Sequence, residues 1–249
     1  KISDFSSKIG FDSIGNFKIE DTDLSFYGGT VSMNIEAGQA SENLPLDIEM
    51  IVENINIGRL VIGMDYFNNE ALRQAKKIDG NLSYTISANG IVNADGSLNM
   101  NSLNGTLHLN LENLELYDYR PIMENVVLLK EERFEKLQFQ PIEQTFKIVD
   151  GELIIPRTQI QSSALHLFVE GRFKFDDYVN VWLSLPMKNL EKNDGLTLPE
   201  KQSFDESGSK FYLQIIQDKD SQKSRKQKLK IKFKLGNRKM TKDLSQRMK

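Results

Sequence analysis

The chain has 249 residues, 39% of them hydrophobic and 27% charged, with no cysteine and a formal charge of −3. This length and composition suit one large all-β unit or two small domains with a sizeable core. They exclude disulfides, thiolate metal sites and a cysteine nucleophile, and no run of about 18 apolar residues is present to span a bilayer as a helix.

The charge is unevenly placed. Residues 221–249 hold 12 Lys and Arg against one acid, which leaves 20 against 34 for residues 1–220, so a basic ending follows an acidic body. The chain starts on Lys1 with no basic-then-apolar leader, which reads as a cut piece or a processed form.

Period-2 alternation of apolar and polar residues dominates from the N-terminal part onward. Strand-like runs fall near 15–20, 24–27, 30–36, 46–53, 81–92, 97–101, 105–111, 113–117, 137–149, 151–155, 159–161, 164–175, 179–185, 211–217 and 228–235. Turn pairs such as Gly28-Gly29, Asp79-Gly80, Asp95-Gly96, Asn104-Gly105 and Asp150-Gly151 separate many of them and supply the positive φ that tight hairpins need. Consecutive hairpins make a meander. Helices are expected near 57–77 and near 121–136, the second with Pro121 at its first turn. Residues 187–209 mix Pro, Gly, Ser and charge without period and read as an exposed loop, followed by two closing strands and a basic tail over 210–249, all in one domain with the rest.

Two helices about 20 Å long cannot cover the apolar face of a sheet whose many strands lie about 4.8 Å apart. The sheet must therefore cover itself, as a sandwich, a closed barrel or a curved trough.

Chemistry finds little to work with. His108 and His166 occupy alternation positions opposite leucines, which reads as an exposed polar face. Metal, phosphate-loop and nucleophile-elbow patterns are absent. Asp21, Asp23, Asp95, Asp150, Asp176 and Asp177 cluster at expected turns, where local hydrogen bonding accounts for them. Trp182 reads as core. Lys228, Lys230, Lys232 and Lys234 line one side of the last strand, as guards of a sheet edge or as contacts for anionic head groups. An acidic body with no stacking platform argues against nucleic acid.

The order of elements is specific enough to resemble a family. A strand and turn pattern runs over 78–122, with "IDGNLSYTISANG" leading to "NGTLHLNLENLELYDYRP". It continues over 134–187 with Phe134 and Leu137 in an F-x-x-L link, an I-x-S-x-x-L stretch at 160–165 and G-x-F-x-F at 171–175. With 17–38 and 55–64 it is similar to the C-terminal region of the AsmA family of bacterial envelope proteins, related to the TamB-like bridge-like lipid transfer proteins, over residues 14–190.

That resemblance implies a mainly β protein, an elongated, strongly curved antiparallel β-sheet (a trough, taco-like or open barrel) over 1–190 with the two short helices. It implies a periplasmic location, tethered to the inner membrane through a segment not present in this chain, and a part in outer-membrane biogenesis and lipid homeostasis. The expected partner is phospholipid, with outer-membrane assembly proteins as further partners, no cofactor, no metal and no catalytic residue. Candidate groove residues are Leu107, Leu109, Leu111, Leu153, Ile155, Leu165, Leu167, Val169, Phe173 and Phe175. Two other classes compete with a lipid conduit: a scaffold that pairs with client strands through sheet edges, and a β-sandwich adhesin or carbohydrate-binding module.

Overall fold

The computed structural model describes residues 2–38, 43–68, 73, 76–118, 135–174, 178–186, 200, 209–217 and 229–235. Four strands open the chain, β1 (Ile2–Phe11), β2 (Phe17–Phe26), β3 (Gly29–Ala37) and β4 (Asn43–Asn56), and helix α1 (Ile57–Gly63) follows. Then come β5 (Lys77–Asn93), β6 (Asn104–Tyr117), β7 (Lys136–Gln138), β8 (Ile142–Val149) and β9 (Glu152–Gln161). The last four are β10 (His166–Lys174), β11 (Tyr178–Pro186), β12 (Lys210–Gln217) and β13 (Leu229–Leu235).

These thirteen strands form one antiparallel sheet whose order follows the chain, with β7 paired to the end of β6 beside β8. It is the expected meander, and because β1 and β13 do not pair with each other the sheet is open.

Several boundaries differ from the sequence reading. β1 was not expected, because its bulged alternation hides the period. The runs at 105–111 and 113–117 are one strand, as are 151–155 and 159–161, whereas 97–101 is a short 3-10 turn (Met100–Ser102) beside a single bridge from Leu98 to Val92. The helix expected over 57–77 ends at Gly63 and gives way to a 3-10 turn at Asp65–Asn68, where Asp65 and Tyr66 take φ of 49° and 54°, values that no right-handed helix accommodates. Among the described residues α1 is the one α-helix longer than a single residue, Arg73 also being helical; 121–134 lie outside them, and Lys136 begins β7. The 187–209 loop likewise lies outside them, except at residues 200 and 209.

The chain divides into two compact units that interleave along the sequence. The first comprises Lys1–Met64, Gly80–Glu112 and Ile142–Ile154; the second comprises Asp65–Asp79, Asn113–Pro141 and Ile155–Lys249.

In the first unit the strands keep their apolar residues on one side by using bulges. Register shifts by one residue occur between Ser3 and Ser6, between Ile19 and Thr22, and between Val52 and Ile55. In each interval an Asp or Asn takes positive φ: Asp4 at 55°, Asp21 at 47° and Asn54 at 55°. These residue types tolerate the left-handed region, and an extra residue there advances the strand so that positions three apart share a face. Asp21 is therefore a bulge residue inside β2, and Asp23 lies within the same strand, not in the turn expected for both. Gly29 makes room for the Asn54 bulge, since a Cβ on it would stand 2.6 Å from the Ile55 nitrogen and 2.7 Å from the Asn54 carbonyl carbon. Replacing Asn54 by valine is expected to lower stability by about 1–2 kcal/mol, the cost of a β-branched residue at positive φ. Replacement by glycine should leave stability near that of the natural chain, and urea unfolding midpoints of the two variants check both.

The core of the second unit is a cluster of Leu137, Ala164, Leu165 and Leu185, with Leu116, Phe139, Leu167, Leu183, Phe211 and Leu213 packed against it. The I-x-S-x-x-L stretch turns β9 into β10: the buried Ser162 hydroxyl donates to the Leu165 carbonyl (2.7 Å) and accepts from the Leu165 N–H (3.1 Å). The neighbouring Ser163 hydroxyl accepts from Gln138 N–H (3.2 Å).

A candidate apolar binding face

The functional candidate in the first unit is a whole side of the sheet. Register carries one apolar row from Ile9 through Ile19, Ile35 and Ile48 to Ala88. The next row runs from Thr22 through Met33 and Met50 to Ile86, and a third from Leu24 through Val31 and Val52 to Tyr84. Across β6 and β8, Leu107 pairs with Phe146, Leu109 with Gln144 and Leu111 with Ile142, and Ile148 pairs with Leu153 on β9. Gly105 joins the halves: its Cβ would lie only 2.6 Å from the Ala88 Cα, so β5 and β6 approach closely where that side chain is absent.

Most of this face is half-buried. Ile19, Met33, Ile35, Ile48, Met50, Ile86, Leu107, Leu109, Leu111, Phe146, Ile148 and Leu153 all retain solvent access, whereas Val52 and Ile55, on the strand that α1 touches, are buried. Exposure is greatest at the β1 rim, where Phe5, Ile9 and Phe11 are 65%, 68% and 75% exposed. A sheet side closed by a second protein layer would bury such residues almost completely.

The opposite side is polar and wet. Lys18 meets Glu36 at 3.2 Å and Glu20 at 3.9 Å, and Lys8 meets Asp21 at 2.6 Å. His108 lies on this side, partly exposed as expected, within 3.0 Å of the Thr145 hydroxyl and 3.5 Å of the Glu143 carboxylate. Asp95 accepts from the Ser97 hydroxyl and N–H, which lowers its pKa and closes the expected turn. Asp150 takes φ of 50° in the turn before Gly151, while Asp176 and Asp177 lie outside the described residues.

The candidates in the second unit divide. Leu165 is buried in the protein core and Leu167 packs against it, so both serve packing within the unit. Ile155, Val169 and Phe173 are half-buried, with Val169 opposite Leu183 and Phe173 opposite Val179. Phe175 and Lys228 lie outside the described residues. Register sets Lys230, Lys232 and Lys234 against Ile216, Gln214 and Tyr212 on the final strand of the sheet.

Alternation misjudged His166. It is buried together with Phe168 and Glu170 on the side of β10 that sequence reading assigned to solvent, and burial lowers its pKa, leaving the imidazole neutral at pH 7. Glu170 is kept in place by Arg157, whose guanidinium donates to it at 2.5 Å and stands 4.5 Å from the centre of the Phe168 ring. Trp182, expected in the core, is half-buried opposite Glu170.

A second polar cluster sits at the end of β6. The Tyr117 hydroxyl donates to Glu115 at 2.6 Å, with Gln138 at 2.9 Å and Lys136 at 3.0 Å, and these donors hold the Glu115 pKa down at about 2. Lys77 and Lys136 stand 5.4 and 5.5 Å from the centre of the Tyr117 ring. A carboxylate whose folded pKa is depressed from 4.5 contributes stability that is complete above pH 4.5 and is lost as pH falls through about 2. Glu115→Gln is expected to flatten that part of the acid limb, read as the difference in urea midpoints between the two proteins at pH 6, 4 and 2.5; parallel limbs would refute it.

No helix of the described residues is long and apolar enough to cross a membrane. Among family models, curated proteins and solved structures, none matches the chain.

Proposed function

We propose that this chain is the periplasmic part of an inner-membrane-anchored, AsmA-like protein that shields or conducts phospholipid acyl chains, supporting outer-membrane biogenesis and lipid homeostasis. The observation that carries this reading is the continuous half-buried apolar side of the first unit, backed by a charged side. In this reading the sheet is curved into a trough and acyl chains supply its second layer. Burial stabilises by about 25 cal/mol per Å² whether the cover is protein or lipid. A chain arriving from a bilayer exchanges one apolar setting for another, so it is held against water yet free to slide. Lys228, Lys230, Lys232 and Lys234 are the candidate contacts for the anionic head groups. The reading involves no catalysis, cofactor or nucleic acid.

Mass spectrometry of protein purified from bacterial envelopes without detergent exchange tests it. Phospholipid bound in stoichiometric amount is the expected result, and lipid-free protein would sink the proposal.

A second reading, a scaffold that pairs with client strands, draws on β1, an edge strand with Phe5, Ile9 and Phe11 exposed. Photo-cross-linking separates the two, since a scaffold captures protein from Phe5 and a conduit captures lipid from Leu109.

A further inference from the structure

Among the described strand residues, four side chains on the apolar side of the first unit end in polar groups, and three have partners of their own. The Ser7 and Thr22 hydroxyls bond each other at 2.8 Å. The Gln144 side-chain oxygen accepts from the Thr145 N–H at 2.9 Å. The fourth, Tyr84, directs its hydroxyl at the Met50 sulfur, 3.9 Å away.

A thioether is a weak acceptor, and a phenol in an apolar setting ordinarily finds an oxygen or nitrogen. Tyr84 is half-buried on the central strand β5, opposite Val52 on β4. Regular antiparallel pairing from the Gly105–Ala88 contact carries Leu109 to its other flank. Leu109 in turn pairs with Gln144. The hydroxyl thus interrupts an apolar row, and its partial burial raises its pKa and keeps it a donor.

We infer that the Tyr84 hydroxyl donates a hydrogen bond to the ester carbonyl of an acyl chain lying on this face, so that the face favours acyl esters over bare hydrocarbon. This rests on the acyl-chain function proposed above and adds the residue that recognises the ester. A hydrocarbon on the same row would cover the hydroxyl without pairing it, which is costly. An ester pairs the hydroxyl and keeps the remaining contacts apolar.

The probe is methyl palmitate labelled with 13C at its carbonyl, loaded onto the whole chain and freed of excess by gel filtration. Native mass spectrometry counts bound ester, and infrared spectroscopy reads the labelled carbonyl band. Bound ester in the natural protein should show that band at lower wavenumber than in Tyr84→Phe, and the variant should bind about 3- to 10-fold more weakly. The substitution removes one oxygen, and circular dichroism checks that the β content is kept. Ester bound to both proteins with the same band position overturns the role of Tyr84 and leaves the acyl-chain function standing. No ester bound to either protein overturns both.

Discussion

An aspartate in place of Leu109 is expected to strip the protein of co-purified phospholipid while leaving its β content unchanged. Leu109 lies in the middle of the apolar side, paired with Gln144 on β8 and half-buried. Its partial access to water lets a carboxylate be hydrated in the lipid-free protein, so folding bears little of the cost. Against an acyl chain the same carboxylate loses water, a penalty of several kcal/mol, which corresponds to a hundredfold or greater loss of occupancy. Asn110→Asp supplies the control, since it places the same charge one residue away on the polar side, where Asn110 pairs with Glu143. Mass spectrometry of extracted lipid should separate the two variants. Equal phospholipid in both would show that the leucine side does not carry the lipid.

Gly105→Val should strongly destabilise the first unit. A Cβ at this position would stand 2.6 Å from the Ala88 Cα and 2.8 Å from its Cβ, and closer still to the Ser87 carbonyl oxygen. Backbone atoms cannot rotate away as a flexible side chain can, so β5 and β6 must separate. A cost of about 3 kcal/mol is expected, at the upper end for overpacking. Chemical denaturation measures it, and a loss below about 1 kcal/mol would mean that the strands part easily. Because Leu107, Leu109 and Leu111 follow on the same strand, this variant should also lose lipid, through geometry where Leu109→Asp acts through charge.

The β class, the meander order and the leucine row of β6 were legible in the sequence because they are local. Alternation reports which residues share a side, and Asp95-Gly96 and Asp150-Gly151 mark where the chain turns, whereas Asp79-Gly80 and Asn104-Gly105, expected as turns, lie inside β5 and β6, where an extended backbone accommodates the same residue types. Strand ends were less legible. An αL Asp or Asn inside a strand looks like a turn to sequence reading, which is why Asp21 was assigned to a loop and why β1 with Asp4 was missed. The signal that would have found these bulges is an apolar spacing of three interrupting a spacing of two, as at Val52 and Ile55 around Asn54.

Alternation by itself determined that one side of each strand is apolar and that the chain is a succession of antiparallel hairpins. Only the tertiary structure decided which side is buried and by what. In the first unit the apolar side stays half open, whereas in the second Leu165 is enclosed by protein and the polar His166 and Glu170 are buried as well. The physical reason is that side-chain period is a property of a strand, while burial depends on what packs across it from distant parts of the chain. The unspent Tyr84 hydroxyl belongs to the same category, since its lack of an oxygen partner exists only once β4 and β6 flank it.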